Sequence, residues 1–290
     1  MKVKKILATA ALAAMTFSLV ACGGNGKGNA SSSSSDKSDS NTVIITGSTS
    51  VEPIVTAMKT EFEALNPDIK IQYTGNGSSA GIQDTIKGVN NIGASSRELT
   101  DEEKAENLKE TVFAYDGIAV AVNPANKVKD LTMEQLQKIY SGEITNWKDV
   151  GGADAEIYVV SREESSGTRS AFEELIKLEE TKGLTSAAAV SEGNGPVQLA
   201  VAKNKNAIGY VSFSYIDDTV KQLTVDGKEG TVENVKSGDY PLSRPFLFVE
   251  KEGSNNQSAE KFLEFATSDD GQKCVTDNNA ITVAEEKAAK

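Results

Sequence analysis

Apolar residues in this chain recur in two rhythms, and the switches between them predict its elements. TVIIT (42–46) is a short apolar run that predicts a buried strand, and behind it Val51, Ile54, Val55, Met58, Phe62 and Leu65 fall at helical spacing. IKIQYTG (69–75) predicts a second strand, the stretch from Ile82 to Val89 a short helix, and NIGASS (91–96) a third strand. This βαβαβ order is that of an open sheet whose parallel strands are covered by helices. TVFAYDGIAVAVNP (111–124) is a long β-rich run that stops at a proline. Capping-box spacing at Thr100/Glu103, Thr132/Gln135 and Ser254/Gln257 marks helix starts. EIYVVS (156–161) predicts a strand leading to a helix through Phe172, Leu175 and Ile176. A helix after Pro196, strands at AIGYVSF (207–213) and PLSRPFLFVE (241–250), and a long C-terminal helix carrying Phe262, Leu263 and Phe265 complete the pattern.

Two α/β units joined by a mid-chain crossover and a return predict two lobes around a cleft. The boundaries expected are 42–118 plus 245–290 for lobe I and 119–244 for lobe II, and no internal repeat is legible. With 290 residues and 38% hydrophobic composition, the chain has the apolar content for one large domain or two ordinary ones.

The N-terminal pattern is different. Lys2, Lys4 and Lys5 precede an uncharged, mostly apolar run, Ile6 to Val20, and LVAC (19–22) places small residues before a cysteine. This resembles a lipoprotein signal peptide ending in a lipobox, which implies cleavage after residue 21 and a diacylglyceryl thioether on Cys22. The run falls short of the roughly 20 residues of a membrane-spanning helix. The following stretch up to residue 41, GGNGKGNASSSSSDKSDSN after Cys22, lacks large apolar residues and is expected to be a flexible tether.

The chain carries 42 acidic and 30 basic residues, a net charge of −12, and loss of residues 1–21 removes three lysines and no acids, giving −15. So acidic a surface argues against non-specific binding to nucleic acid or anionic lipid. Cys22 and Cys274 are the two cysteines. With the first lipidated, no disulfide can form within the chain, and Cys274 is expected to be a small buried hydrophobe. There is no histidine. That removes Ser-His-Asp and Cys-His catalysis and leaves no His/Cys cluster for zinc. No cofactor is expected.

Three Ser/Thr/Gly clusters lie at strand-to-helix junctions: GSTS (47–50), GNGSSAG (75–81) and SSGT (165–168). Small residues let the backbone turn sharply there, and the first amides of each helix lack partners within it. Those amides, the helix dipole and the hydroxyls together make a seat for an anion. In an open α/β sheet such junctions all lie at the carboxyl ends of strands, where ligands bind. GSSAG also matches the GxSxG elbow of hydrolases, but without a histidine it lacks the usual base. The third glycine of GNGSSAG arrives one place late for a dinucleotide loop, and no Walker GK[ST] occurs. Arg162 follows a strand and precedes SSGT, with Glu163 and Glu164 between, and a guanidinium fork matches two oxygens of a tetrahedral oxyanion.

The ordered set TGSTSVEPI, GNGSSAGIQ, IGASSREL, SREESSGT, NAIGYVSF and YPLSRPFLF resembles the phosphate-binding lipoproteins that serve ABC phosphate importers, a branch of the type II periplasmic binding proteins. The resemblance spans the mature chain. It implies a two-lobed α/β fold, each lobe a sheet flanked by helices, with the ligand between them. It also implies phosphate contacts from Thr49, Ser50, Ser78, Ser96, Arg162, Ser166, Gly167 and Thr168, with Glu164 as the carboxylate that braces the arginine. The expected partners are inorganic phosphate, the permease and ATPase subunits of the importer, and the membrane through Cys22; a monomer that binds no nucleic acid is expected. One departure stands out: well-known members have an aspartate where this chain has Ser96, so the means of telling phosphate from sulfate is altered. A receptor for sulfate or molybdate, an enzyme on phosphate esters and a purely adhesive surface lipoprotein are the alternatives. A short-range pocket can outweigh the unfavourable net charge, because directional hydrogen bonds act at about 3 Å whereas surface charge is screened within roughly 8 Å at physiological salt.

Overall fold

The computed structural model describes residues 41–285. The signal-peptide, Cys22 and tether expectations lie outside the described residues, apart from Asn41 at the end of the tether. The strands are β1 (Thr42–Gly47), β2 (Lys70–Gly75), β3 (Ile92–Ser95), β4 (Leu108–Val122), β5 (Asp130–Leu131), β6 (Tyr158–Arg162), β7 (Ala189–Ser191), β8 (Ala207–Ser212), β9 (Lys221–Gln222), β10 (Thr224–Val225), β11 (Ser243–Lys251) and β12 (Ile281–Thr282). The helices are α1 (Glu52–Leu65), α2 (Ser78–Lys87), α3 (Asp101–Lys104), α4 (Met133–Ser141), α5 (Gly167–Leu175), α6 (Asn194–Lys203), α7 (Val232–Lys236), α8 (Gln257–Thr267) and α9 (Asp269–Thr276).

One continuous sheet runs β2-β1-β3-β11-β4-β8-β6-β7, with β9 and β12 also paired to β4. β1 pairs parallel with both β2 and β3, as the βαβαβ pattern predicts. On the other side β6 pairs parallel with β7 and β8. Between these parallel sets, β4 and β11 form a long antiparallel pair from Ser243 opposite Gly117 to Lys251 opposite Leu108. β5 and β10 make a separate small parallel pair.

Two large hydrophobic cores form on this sheet, with a smaller cluster of Ile82, Leu99, Leu247 and Val249 beside them. One holds Val43, Ile45, Met58, Phe62, Phe113, Phe248 and Phe262, and its aromatics interlock, with Phe113 stacked on Phe248 at 4.1 Å and Phe62 edge-on to Phe262 at 5.4 Å. The other holds Ile118 to Val122, Tyr140, Trp147, Phe172 and Tyr210, with Phe172 stacked on Tyr210 at 4.1 Å. β4 supplies Phe113 and Ala114 to the first core and Ile118 onward to the second. The chain between the cores returns from Leu242 to Phe246 at the start of β11. The mixed α/β fold is thus built around two large cores sharing the paired strands β4 and β11.

Helix ends follow local chemistry. The capping boxes at Thr100/Glu103 and Thr132/Gln135 are formed. The one expected at Ser254/Gln257 is not: Asn256 caps α8 by accepting from the amides of Ser258 (3.1 Å) and Ala259 (3.0 Å). The long C-terminal helix is broken in two because extended Ser268 closes α8 and caps α9, accepting the Gly271 N–H. α6 begins before Pro196, which sits in the first turn where no intrahelical amide is needed. Cys274 is buried in α9, and burial pushes its thiol up. Among the described residues no helix is long and apolar enough to cross a membrane, and no group of three or more His, Cys, Asp or Glu is placed to hold a metal.

Candidate functional site

The three small-residue turns meet where the two cores adjoin. After β1 the chain folds back through Ser48, whose amide donates to Ala94 O (2.9 Å), and Ser50 N donates to Ser48 Oγ (3.1 Å). Ser78 opens α2 and accepts the Ser96 amide (3.1 Å), which joins the end of β3 to the start of that helix. α2 approaches β1 so closely that a Cβ at Gly81 would lie 2.3 Å from Thr46 O, a contact only glycine permits. Ser79, where a nucleophile of a GxSxG elbow would sit, instead accepts from Arg97 Nη2 (3.0 Å).

From the other half, α5 points its first turn at these residues. Ser166 caps it, accepting Arg169 N–H (3.2 Å). Thr168 Oγ1 lies 2.9 Å from Ser50 Oγ, and Arg162 Nη2 donates to Thr49 Oγ1 (3.1 Å). A Cβ at Gly167 would stand 2.2 Å from Ser78 Oγ and 2.8 Å from Ser96 Oγ, so this helix start is pressed directly on the opposite turn. Ser78 and Ser96 hydroxyls are 3.3 Å apart, and Ser48 Oγ donates to Ser96 Oγ (2.8 Å). Thr49, Ser50, Ser78, Ser96, Arg162, Gly167 and Thr168 are therefore drawn into one cluster by these contacts, with Ser166 capping the same helix start, and Arg162 is 1% exposed.

Glu164 does not brace Arg162. The guanidinium is held by Glu163, which accepts from Nε (2.8 Å) and Nη2 (2.7 Å) and is itself fixed by the Gly193 amide (3.1 Å). Glu164 is exposed, because the turn into α5 swings it outward. Burial works to raise the Glu163 carboxyl, but the hydrogen bonds and charge of Arg162 and the backbone donors outweigh it and hold the group below its ordinary value.

Three further residues complete the site. Asn194, 1% exposed at the start of α6, donates from Nδ2 to Thr49 Oγ1 and Ser50 Oγ, both at 3.0 Å. Arg244 on β11 donates from Nη2 to Ser50 Oγ (3.0 Å) and from Nη1 to Ser96 O (3.3 Å). Its counter-ion is Asp116, directly opposite on β4, bound through Nη2 (2.8 Å) and Nε (3.2 Å) and by Ser212 Oγ (2.9 Å). Burial pushes the Asp116 carboxyl up while Arg244 draws it back down. Arg244 is itself pulled down, first by burial and in part by the like charge of Arg162.

The arrangement holds an excess of donors. Arg162 Nη1 is one of three buried side-chain polar atoms, with Asn90 Oδ1 and Tyr140 OH, that have no partner among the described residues. A buried guanidinium nitrogen without an acceptor is costly and calls for an anion. Two cations, helix N-termini and hydroxyls gathered in one buried cluster suit a compact multivalent oxyanion.

The fold is that of a binding protein of the periplasmic class, with this cluster of donors gathered where the sheet's two large cores adjoin. A family model described as PBP superfamily domain matches residues 31–270. The chain is 35% identical over 301 residues to the phosphate-binding protein PstS of Bacillus subtilis, covering 100% of this chain and 98% of that protein. Among solved structures, a substrate-binding protein assigned to a phosphate ABC transporter of Clostridium perfringens, with bound phosphate, is 48% identical with a TM-score of 0.81, covering 84% of this chain and 100% of that one. An ABC-type phosphate transport receptor from Vibrio cholerae is 37% identical with a TM-score of 0.71, covering 83% of this chain and 99% of that one. The chain belongs to the PBP superfamily and, within it, to the PstS family of phosphate-binding proteins.

Proposed function

We propose that this protein captures inorganic phosphate outside the cytoplasm and delivers it to an ABC importer. The observation that carries this reading is the buried, unpartnered Nη1 of Arg162 at the meeting point of Thr49, Ser78, Ser96 and the start of α5. In the proposed complex the ion receives hydrogens from Arg162, from the hydroxyls of Thr49, Ser78, Ser166 and Thr168, and from amides at the turn of Ser50 and at Gly167. Ser96 lies against it, and Glu163 holds the guanidinium in place. Lobe I (42–118 plus 245–290) and lobe II (119–244) close over the ion, and β4 and β11 are the strands about which they move. The protein works as a monomer tethered through lipid on Cys22 to the outer face of the cytoplasmic membrane, without cofactor or catalysis, and presents phosphate to the permease and ATPase subunits.

Equilibrium dialysis of protein stripped of bound ions against labelled phosphate tests this. The expected result is saturable binding of one ion per chain with no turnover of phosphate esters. Absence of saturable phosphate binding would overturn it.

A further inference from the structure

Hydrogen counting within the proposed phosphate site separates hydroxyls that only donate from those that can also accept. A hydroxyl has one hydrogen and two lone pairs. Asn194 Oδ1 accepts the Ser212 amide (3.1 Å), so the Nδ2 hydrogens face Thr49 and Ser50. Thr49 Oγ1 accepts from Asn194 and Arg162, which uses both lone pairs. Ser50 Oγ accepts from Asn194 and Arg244, so its hydrogen goes to Thr168 Oγ1. The hydrogens of Thr49, Thr168 and Ser166 have no acceptor among the described residues and must face the ion. The two carboxylates bonded to the cluster's arginines are already engaged, Glu163 by Arg162 and Gly193, and Asp116 by Arg244 and Ser212.

Ser78 and Ser96 differ. Their two oxygens offer four lone pairs and two hydrogens. Ser48 Oγ and the Ser96 amide take one lone pair each, and the bond between the two serines uses one more and one hydrogen. One hydrogen and one lone pair remain to face the ion, and reversing the inner bond exchanges which serine supplies which. The pair can thus take a ligand hydrogen without orphaning its own, and it does so without a charge.

We propose, on the basis of the phosphate reading above, that the Ser78–Ser96 hydroxyl pair determines specificity, reading the ligand's hydrogen by a neutral lone pair and so admitting fully ionised tetrahedral dianions as well as hydrogen phosphate. A singly protonated phosphate uses both the hydrogen and the lone pair. Sulfate uses the hydrogen alone and meets a neutral oxygen instead of a carboxylate. The preference for phosphate is then the cost of leaving that one buried lone pair without a donor, roughly ten- to a hundredfold.

The test is displacement of labelled phosphate by sulfate from stripped protein in mildly alkaline buffer. Wild-type protein should release phosphate to sulfate with an affinity ratio of roughly 10 to 100. Ser96→Asp sets a charge against the ion and should raise that ratio by at least about a hundredfold while phosphate binding persists. The double variant Ser78→Ala/Ser96→Ala removes the outward lone pair and should bring the ratio to within about threefold of one. Sulfate failing to compete at about ten-thousandfold excess over phosphate, or an unchanged ratio in Ser96→Asp, would overturn the inference. If a variant does not fold, the wild-type ratio still decides. Phosphate binding with sulfate exclusion sinks this inference alone, whereas wild-type protein binding neither ion sinks the phosphate reading as well.

Discussion

Replacing Glu163 by glutamine tests how the central guanidinium is held. The carboxylate accepts two hydrogen bonds from Arg162 at 2.8 and 2.7 Å and one from the Gly193 amide at 3.1 Å. Arg162 is 1% exposed at the side chain and Glu163 18%. Breaking a fully buried pair costs about 3–5 kcal/mol, and the partial exposure of Glu163 places this one at about 2–3 kcal/mol. For a protein of this size 1 kcal/mol moves Tm by about 2–4 °C, so Glu163→Gln should unfold about 5–10 °C lower in the ion-stripped form. Phosphate supplies a replacement anion and should restore part of the loss. Glu164→Gln, which alters an exposed side chain, should stay within about 2 °C of wild type. Differential scanning fluorimetry of the three proteins, with and without phosphate, is the assay. A wild-type Tm for Glu163→Gln, or an equal loss in Glu164→Gln, would refute the reasoning.

Other consequences follow from the same contacts. Gly167→Ala sets a methyl against Ser78 and Ser96; phosphate affinity measured by calorimetry should fall roughly ten- to a hundredfold, and unchanged affinity would show that the turns do not press together. Tyr140→Phe removes a buried hydroxyl with no partner and should leave stability unchanged or raise it by about 1 kcal/mol in urea unfolding; a clear loss would mean the hydroxyl is bonded. The Glu103 carboxyl, raised by burial but lowered further by Arg97 and the Thr100 amide, ends below its ordinary value of 4.5. Its stabilisation is present above that value and is lost as pH falls through the lowered one, so Glu103→Gln should flatten the acid limb of stability against pH. A limb as steep as wild type would place the acid sensitivity elsewhere, with Glu163, shifted in the same direction, the next candidate.

Much of this was legible because strand-to-helix turns declare themselves. GSTS, GNGSSAG and SSGT combine residues that turn sharply with residues that donate, and each follows an apolar run. What escaped depends on pairing. Asp116 and Arg244 are lone charges inside apolar runs, a signal of a buried ion pair, but their partnership exists only once β4 and β11 align them. Asn194 had only a weak sequence signal, a polar residue directly after a glycine at a helix start, as Ser78 is. Gly77 and Gly193 both cap helices at positive φ, 95° and 93°, so Ser78 and Asn194 each stand first in a helix aimed at the site. Glu163 and Glu164 are adjacent in one tight turn, and the choice between them rests on the Gly193 amide from a distant segment. The two-residue strands β5, β9, β10 and β12 are too short to carry a period.

Calorimetric titration of phosphate into stripped wild-type protein and Arg162→Ala bears most directly on whether a buried guanidinium and unpaired donors form the anion seat. One ion should bind per wild-type chain, and the variant should lose about 2–5 kcal/mol of binding, roughly thirtyfold or more in affinity. Equal affinities in the two proteins would contradict it.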